Sequence, residues 1–95
     1  MSIRIMNRMR DLIRKRQYIM TLHAEEEMDD DGLTIYDVES VILTGDMVEQ
    51  QRDRRTNEYK YLVRGQISTG AMVAIVVSKF GATGNLVILT VYIES

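Results

Sequence analysis

The sequence contains no cysteine. Neither disulfides nor thiolate metal sites can therefore staple its fold, and nothing argues against a reducing compartment. Long apolar runs are missing too. The longest, residues 71–77 and 86–93, fall well short of the ~20 residues that a membrane-crossing helix needs. The first residues mix arginine into the apolar positions and form no uninterrupted hydrophobic region of the kind a signal peptide carries. The expected location is the cytoplasm, with no membrane association. No His/Cys cluster has zinc spacing, and no Walker-type loop is present to cradle a nucleotide. Glu27, Asp29, Asp31 and Gly32 imitate the opening of a calcium loop over residues 27–38. Its twelfth position must be a bidentate carboxylate, and Val38 cannot supply one. No metal and no other cofactor is expected.

Lysine and arginine are absent from residues 17–50, which hold ten acidic residues. Residues 1–16 carry six basic residues against Asp11 alone, and residues 51–95 carry six basic and three acidic ones. The net charge of −2 thus conceals three blocks of alternating sign. A nucleic-acid-binding domain is usually basic throughout. An RNA partner would have to meet a local basic patch on this one.

What remains is globular. The 95 residues are 45% hydrophobic and 27% charged, which is the composition and length of a single folded domain. Residues 2–16 place Ile3, Met6, Met9, Leu12 and Ile13 at spacings of three and four, the mark of an amphipathic helix with a basic outer face. A second helix is expected over residues 22–31, with Thr21 as N-cap and Gly32 as its stop. A third follows Thr34, with Asp37 as capping-box partner and Ile35, Val38, Val41 and Ile42 as its buried stripe. The period then changes from 3.6 to 2. Residues 47–52, 59–66, 71–80 and 86–94 read as four strands joined by short turns, hence antiparallel neighbours. The expectation is an α+β domain with N-terminal helices packed on one face of a four-stranded antiparallel meander. Val87, Leu89, Val91 and Ile93 should lie among its most buried residues. The polar first strand should be an edge, and the two most apolar strands should be central.

Few side chains can carry chemistry. His23 is the natural group for proton transfer near neutral pH, although a lone histidine is more often a packing or capping residue. Thr90 and Tyr92 sit two apart on the last strand and so share its second face. The bland account of them is a hydroxyl pair satisfied by hydrogen bonds. Lys60, Leu62 and Arg64 share one face of an earlier strand, and Arg64 reaches Thr90 and Tyr92 if the registers agree.

The order of four segments carries a resemblance: YIMTLHAEEEM at 18–28, DGLTIYDV at 31–38, YKYLVRG at 59–65 and VILTVY at 87–92. Together they resemble the domain-of-unknown-function family numbered forty-two fifty-eight. The similarity covers residues 18–92 and leaves the helix of residues 1–17 outside. It implies a fold related to the RelE-like toxin ribonucleases, which cut RNA without metal. That chemistry needs a base for the 2′-hydroxyl, a proton donor for the leaving oxygen and cations on the phosphate. His23, Tyr92 and Arg64 are the residues of the right type for catalysis, and Thr90 and Lys60 for substrate binding. The family pattern after the histidine reads His-Ala-x-x-Arg-Met, and here Glu27 occupies the arginine position. The resemblance therefore leaves two readings: a metal-independent endoribonuclease of toxin–antitoxin type, or a catalytically silent relative that serves as a protein-interaction module. The implied partners are RNA or an antitoxin-like protein. A homodimer follows if the stripe of the first helix finds too little core in its own chain.

Overall fold

A computed structural model describes residues 3–94. The basic helix α1 (Ile3–Arg14) turns Met6, Met9, Leu12 and Ile13 inward, and all four are buried in the core of their own chain. Ile3 is left outside, 73% exposed. The stripe thus has a core within one chain, and the argument for a homodimer through α1 loses its premise. Arg10 crosses from α1 to the end of the third helix, where it donates to the carbonyls of Ile42 (3.2 Å) and Gly45 (2.9 Å). A guanidinium there satisfies helix carbonyls that would otherwise lack donors.

The rest of the chain runs β1 (Tyr18–Met20), α2 (Leu22–Asp31), α3 (Ile35–Thr44), β2 (Asp46–Arg52), β3 (Tyr59–Gln66), β4 (Val73–Phe80) and β5 (Leu86–Ile93). Both expected caps are present. Thr21 accepts from the Ala24 N–H at 3.1 Å, and Gly32 closes α2 in the left-handed region at φ 68°. Asp37 accepts from the backbone N–H of Thr34 at 2.8 Å. No helix of the described residues is long and apolar enough to cross a membrane.

The sheet has five strands, not four, and it is mixed. Its order is β1-β5-β4-β3-β2. The segments from β2 to β5 form the expected antiparallel meander, with polar β2 at an edge and β4 and β5 inside. The extra strand is β1, which pairs in parallel with β5 through Tyr18, Ile19 and Met20 against Leu86, Val87 and Ile88. Three residues are too few to display an alternation. A parallel partner 68 positions away leaves no local signal either. Tyr18 anchors this strand by donating from its phenol to Glu39 on α3 at 2.6 Å. Burial, and then that carboxylate, push the Tyr18 pKa far up, so the phenol stays a donor.

The alternation expected for the last strand also needs correction. Leu86, Ile88 and Val91 are buried, whereas Val87 and Leu89 are only half-buried and belong to the other face. The cause is a bulge. Val77 pairs with Thr90 and Ser78 with Ile88, so Leu89 has no partner. One extra residue moves the inward phase from even to odd positions. Val91 and Ile93 therefore face the core as expected, and Val87 and Leu89 do not.

All three helices cover one side of the sheet, where Val63, Val76, Leu86, Ile88 and Val91 meet α1, α2 and α3. The other side is open. It presents Leu62, Val77, Val87 and Leu89, half-buried, among Lys60, Arg64 and Lys79.

One carboxylate ties the helical layer to a sheet loop. Asp37 is buried and accepts from Ser68 Oγ (2.6 Å), Ser68 N (3.0 Å) and Thr34 N (2.8 Å). Burial by itself raises the carboxyl's pKa, but the hydrogen bonds from Ser68 and Thr34 outweigh it and hold the group below its usual range. A depressed folded pKa means stability that is complete above the unfolded value, ~4, and is lost as pH falls through the folded value. Asp37→Ala should cost about 2–3 kcal/mol at neutral pH. Urea melts should show the gap between wild type and variant closing below about pH 4. A gap that stays constant down to pH ~2 would show that the Asp37 charge contributes nothing.

Candidate functional site at the free edge of the last strand

β1 is shorter than β5. It covers one edge of β5 only as far as Ile88, and beyond that point the edge of β5 has backbone groups in need of partners. The start of α2 supplies them. Thr21 donates from its backbone to the Ile88 carbonyl (3.0 Å) and from its hydroxyl to the Leu89 carbonyl (3.1 Å). One turn and a half further on, the Glu27 carboxylate accepts from the Val91 N–H at 3.1 Å. Ala24 and Met28 hold this helix to the core.

The same helix carries His23. It stands at i−4 from Glu27, with Nε2 3.4 Å from Glu27 Oε1, and its side chain is 67% exposed. The imidazole is thereby tied through one carboxylate to the backbone between Thr90 and Tyr92. Both of those residues project to the open face, where Tyr92 is exposed and Thr90 half-buried. Among the described residues neither hydroxyl bonds to another protein group, and both lie where solvent reaches them. Both groups are available to a ligand.

The registers put Arg64 opposite Ile75, and Ile75 opposite Tyr92. Arg64 and Tyr92 thus share one cross-strand row, two strands apart, or about 10 Å. Arg64 Nε is bound to Glu94 Oε1 at 2.6 Å. Beside this pair an open groove of about 690 Å³ runs past Gln66, Met72 and Val73. Lys60 faces the same side but stands four residues before Arg64 on β3, about 13 Å along the strand. The structure thus brings His23, through Glu27, to the backbone edge at Val91. Thr90 and Tyr92 project from that edge to the open face, with Arg64 across the sheet from Tyr92 and Lys60 at the far end of the face.

The residue that sequence reasoning missed is Glu27. Among the acids of α2 it looks like one more favourable charge near a helix N-terminus. Its position, with one oxygen on a strand edge and the same oxygen near the histidine, depends on β1 stopping early. Only its departure from the family pattern singled it out. The groups found here are an imidazole with a carboxylate behind it on the helical side of the edge, and a phenol and a hydroxyl on the open face. Among the described residues no three His, Asp or Glu side chains are grouped to hold a metal ion.

No curated protein and no solved structure matches the chain significantly. A family model does match, over residues 20–93. That span contains the strand-edge constellation and the whole meander, and excludes α1. The chain therefore belongs to the family described as a domain of unknown function, DUF4258.

Proposed function

We propose that this domain is a metal-independent endoribonuclease of the RelE-like, toxin–antitoxin kind, working at the free edge of β5. The observation that carries the reading is the link from His23 through Glu27 to the Val91 backbone. It brings an imidazole to the strand edge from which Tyr92 and Thr90 project to the open face. In this reading the 2′-oxygen of a ribose attacks the adjacent phosphorus, and His23 takes its proton. Glu27 stands where the imidazolium charge would develop. The bond from phosphorus to the 5′-oxygen breaks, and Tyr92 returns a proton to the departing oxygen. The products are a 2′,3′-cyclic phosphate and a 5′-hydroxyl. Arg64 and Thr90 attend the phosphate oxygens. The substrate approaches over the open face, where Lys60, Arg64 and Lys79 lie, rather than over the acidic outer side of α2.

The test is incubation of the purified chain with single-stranded RNA in the presence of a chelator. Cleavage with cyclic-phosphate ends is expected, reduced at least about 10²-fold in Tyr92→Phe if the phenol is the proton donor. Intact RNA at high enzyme concentration would remove the ribonuclease reading.

A second reading has its own observation. The open face presents an apolar row of Leu62, Val77 and Leu89, extended by exposed Ile19, with no helix over it. A catalytically silent interaction module would use this face to hold an antitoxin-like protein.

A further inference from the structure

At the end of the sheet opposite Tyr92, three aromatic rings lie in series between two arginines. The Arg8 guanidinium lies over the Phe80 ring, 4.0 Å from its centroid. Phe80 meets Tyr61 edge-on at 5.6 Å, and Tyr61 stacks with Tyr59 at 6.5 Å and 24°. The Arg52 guanidinium stands 5.9 Å from the Tyr59 centroid. The series thus joins α1, β4, β3 and β2, elements far apart in sequence. Tyr61 is buried and acts as its foundation, while Tyr59, Arg8 and Arg52 are exposed. Two grooves open along it. One, of about 210 Å³, is lined by Asn57, Glu58, Tyr59, Tyr61 and Phe80, with the Glu58 carboxylate engaged by Lys79, and the next by Arg52, Arg54 and Asn57.

The charge here is not neutralised internally. Among the described residues Arg8, Arg52, Arg54 and Arg55 have no carboxylate within ion-pair distance, whereas Lys79 has Glu58 at 3.2 Å. Asp53, the one acid between these arginines, turns its carboxylate onto its own loop and accepts from the backbone of Arg55 (2.9 Å) and Thr56 (3.4 Å). Asn57, at φ 64°, turns the chain and holds the Arg52 guanidinium through its side-chain oxygen. Arg52 is therefore positioned beside Tyr59 before any ligand arrives.

One exposed ring, Tyr59, and the partly exposed Phe80 edge among these unpaired guanidinium groups match one chemistry well. Bases offer π-faces that stack on aromatic rings and on arginine, and phosphates between them need cations. A duplex buries its base faces and could use only the charges. We infer that the surface formed by Arg8, Phe80, Tyr59 and Arg52, with Arg54 and Arg55 at the hairpin tip, is a binding site for single-stranded nucleic acid. It is separate from the His23 edge and does not depend on the cleavage proposed above. Arg8 from the first basic block and Arg52, Arg54 and Arg55 from the last thus lie at one end of the sheet, although the acidic block separates them in sequence.

Fluorescence anisotropy with short labelled oligonucleotides tests the proposal. The probes are 2′-O-methyl RNA, which resists cleavage through its blocked 2′-oxygen, the corresponding DNA strand and a DNA duplex of the same length. Both single strands should bind more tightly than the duplex at low salt. Tyr59→Ala should weaken single-strand binding roughly 10-fold, the loss of one stacked base. Arg54→Ala/Arg55→Ala should flatten the dependence of log K on log salt by about 0.7 for each phosphate contact removed. Both changes lie on exposed residues, and thermal melts confirm that the variants fold. Should Tyr59→Ala fail to fold, the arginine pair and the duplex comparison still decide. Equal affinity for duplex and single strand, an unchanged salt slope in the arginine variant, or no binding by the wild-type chain would each overturn the site. Binding without cleavage would leave the site standing and remove only the ribonuclease reading.

Discussion

Gly45→Ala should lower the melting temperature by roughly 15 °C, at about 4–8 °C per kcal/mol for a domain of this size. The residue ends α3 and leads directly into β2, so the helix terminus passes over β3 with no loop to lift it away. A Cβ on Gly45 would stand 2.3 Å from the Arg64 carbonyl oxygen and 2.4 Å from that of Val41. Both atoms are backbone and cannot rotate aside. Gly65 meets the same crossing from below, where a Cβ would lie 2.9 Å from the Gly45 Cα. Its cross-strand neighbour Ala74 is buried and small as well. The three make a notch in the sheet that receives the end of α3. Relieving the clash means moving the helix, and overpacking of this kind costs about 3 kcal/mol. A domain stable by about 5–15 kcal/mol can lose that only with visible effect. Gly32→Ala is the control. Its backbone is left-handed at φ 68°, yet nothing lies within 4 Å of the added atom, so strain alone should cost ~1–2 kcal/mol. A melting temperature for Gly45→Ala equal to that of Gly32→Ala would show that the crossing is loose.

His23→Ala should reduce RNA cleavage by about 10²–10⁴-fold if the imidazole transfers a proton in the rate-limiting step. The side chain is exposed and lies outside the core, so melting should hardly change. Added imidazole should restore part of the activity in a concentration-dependent way, which a purely structural histidine would not allow. Glu27→Gln separates the two duties of Glu27. The amide oxygen can still accept from the Val91 N–H, so the strand edge stays capped, while the charge behind the imidazole is gone. Its loss should be smaller than that of His23→Ala and should not respond to imidazole. Cleavage by His23→Ala at the wild-type rate would remove His23 from the mechanism.

How far the sequence could be read depended on whether a feature was local. Thr21, Gly32, Thr34 and Asp37 signalled helix ends because caps are chosen by neighbours three or four residues away. The meander was legible from short turns and a period of two, and the polarity of 47–52 marked an edge. The inward phase of the last strand was not, because the bulge at Leu89 arises from pairing with Val77 and Ser78 on another strand. β1 escaped for a related reason: its partner lies at the other end of the chain. The candidate site divides in the same way. His23, Arg64, Thr90 and Tyr92 could be chosen by chemical type, and alternation placed Thr90 and Tyr92 together. Glu27 became visible only once β1 was seen to stop at Met20, and the distance of Lys60 from Tyr92 only once the registers of β3, β4 and β5 were known.

The position of β5 has a consequence for how the polypeptide is made. This strand is the final element of the described chain, yet it lies inside the sheet, between β1 and β4. Until residues 86–93 leave the ribosome, the edge of β4 and the whole of β1 have no neighbour, and the inner side of α2 lacks the surface it covers. Closure of the sheet therefore waits for β5, which alone joins β1 to the hairpins of β2, β3 and β4. A chain without residues 86–93 would hold two fragments of sheet with nothing between them.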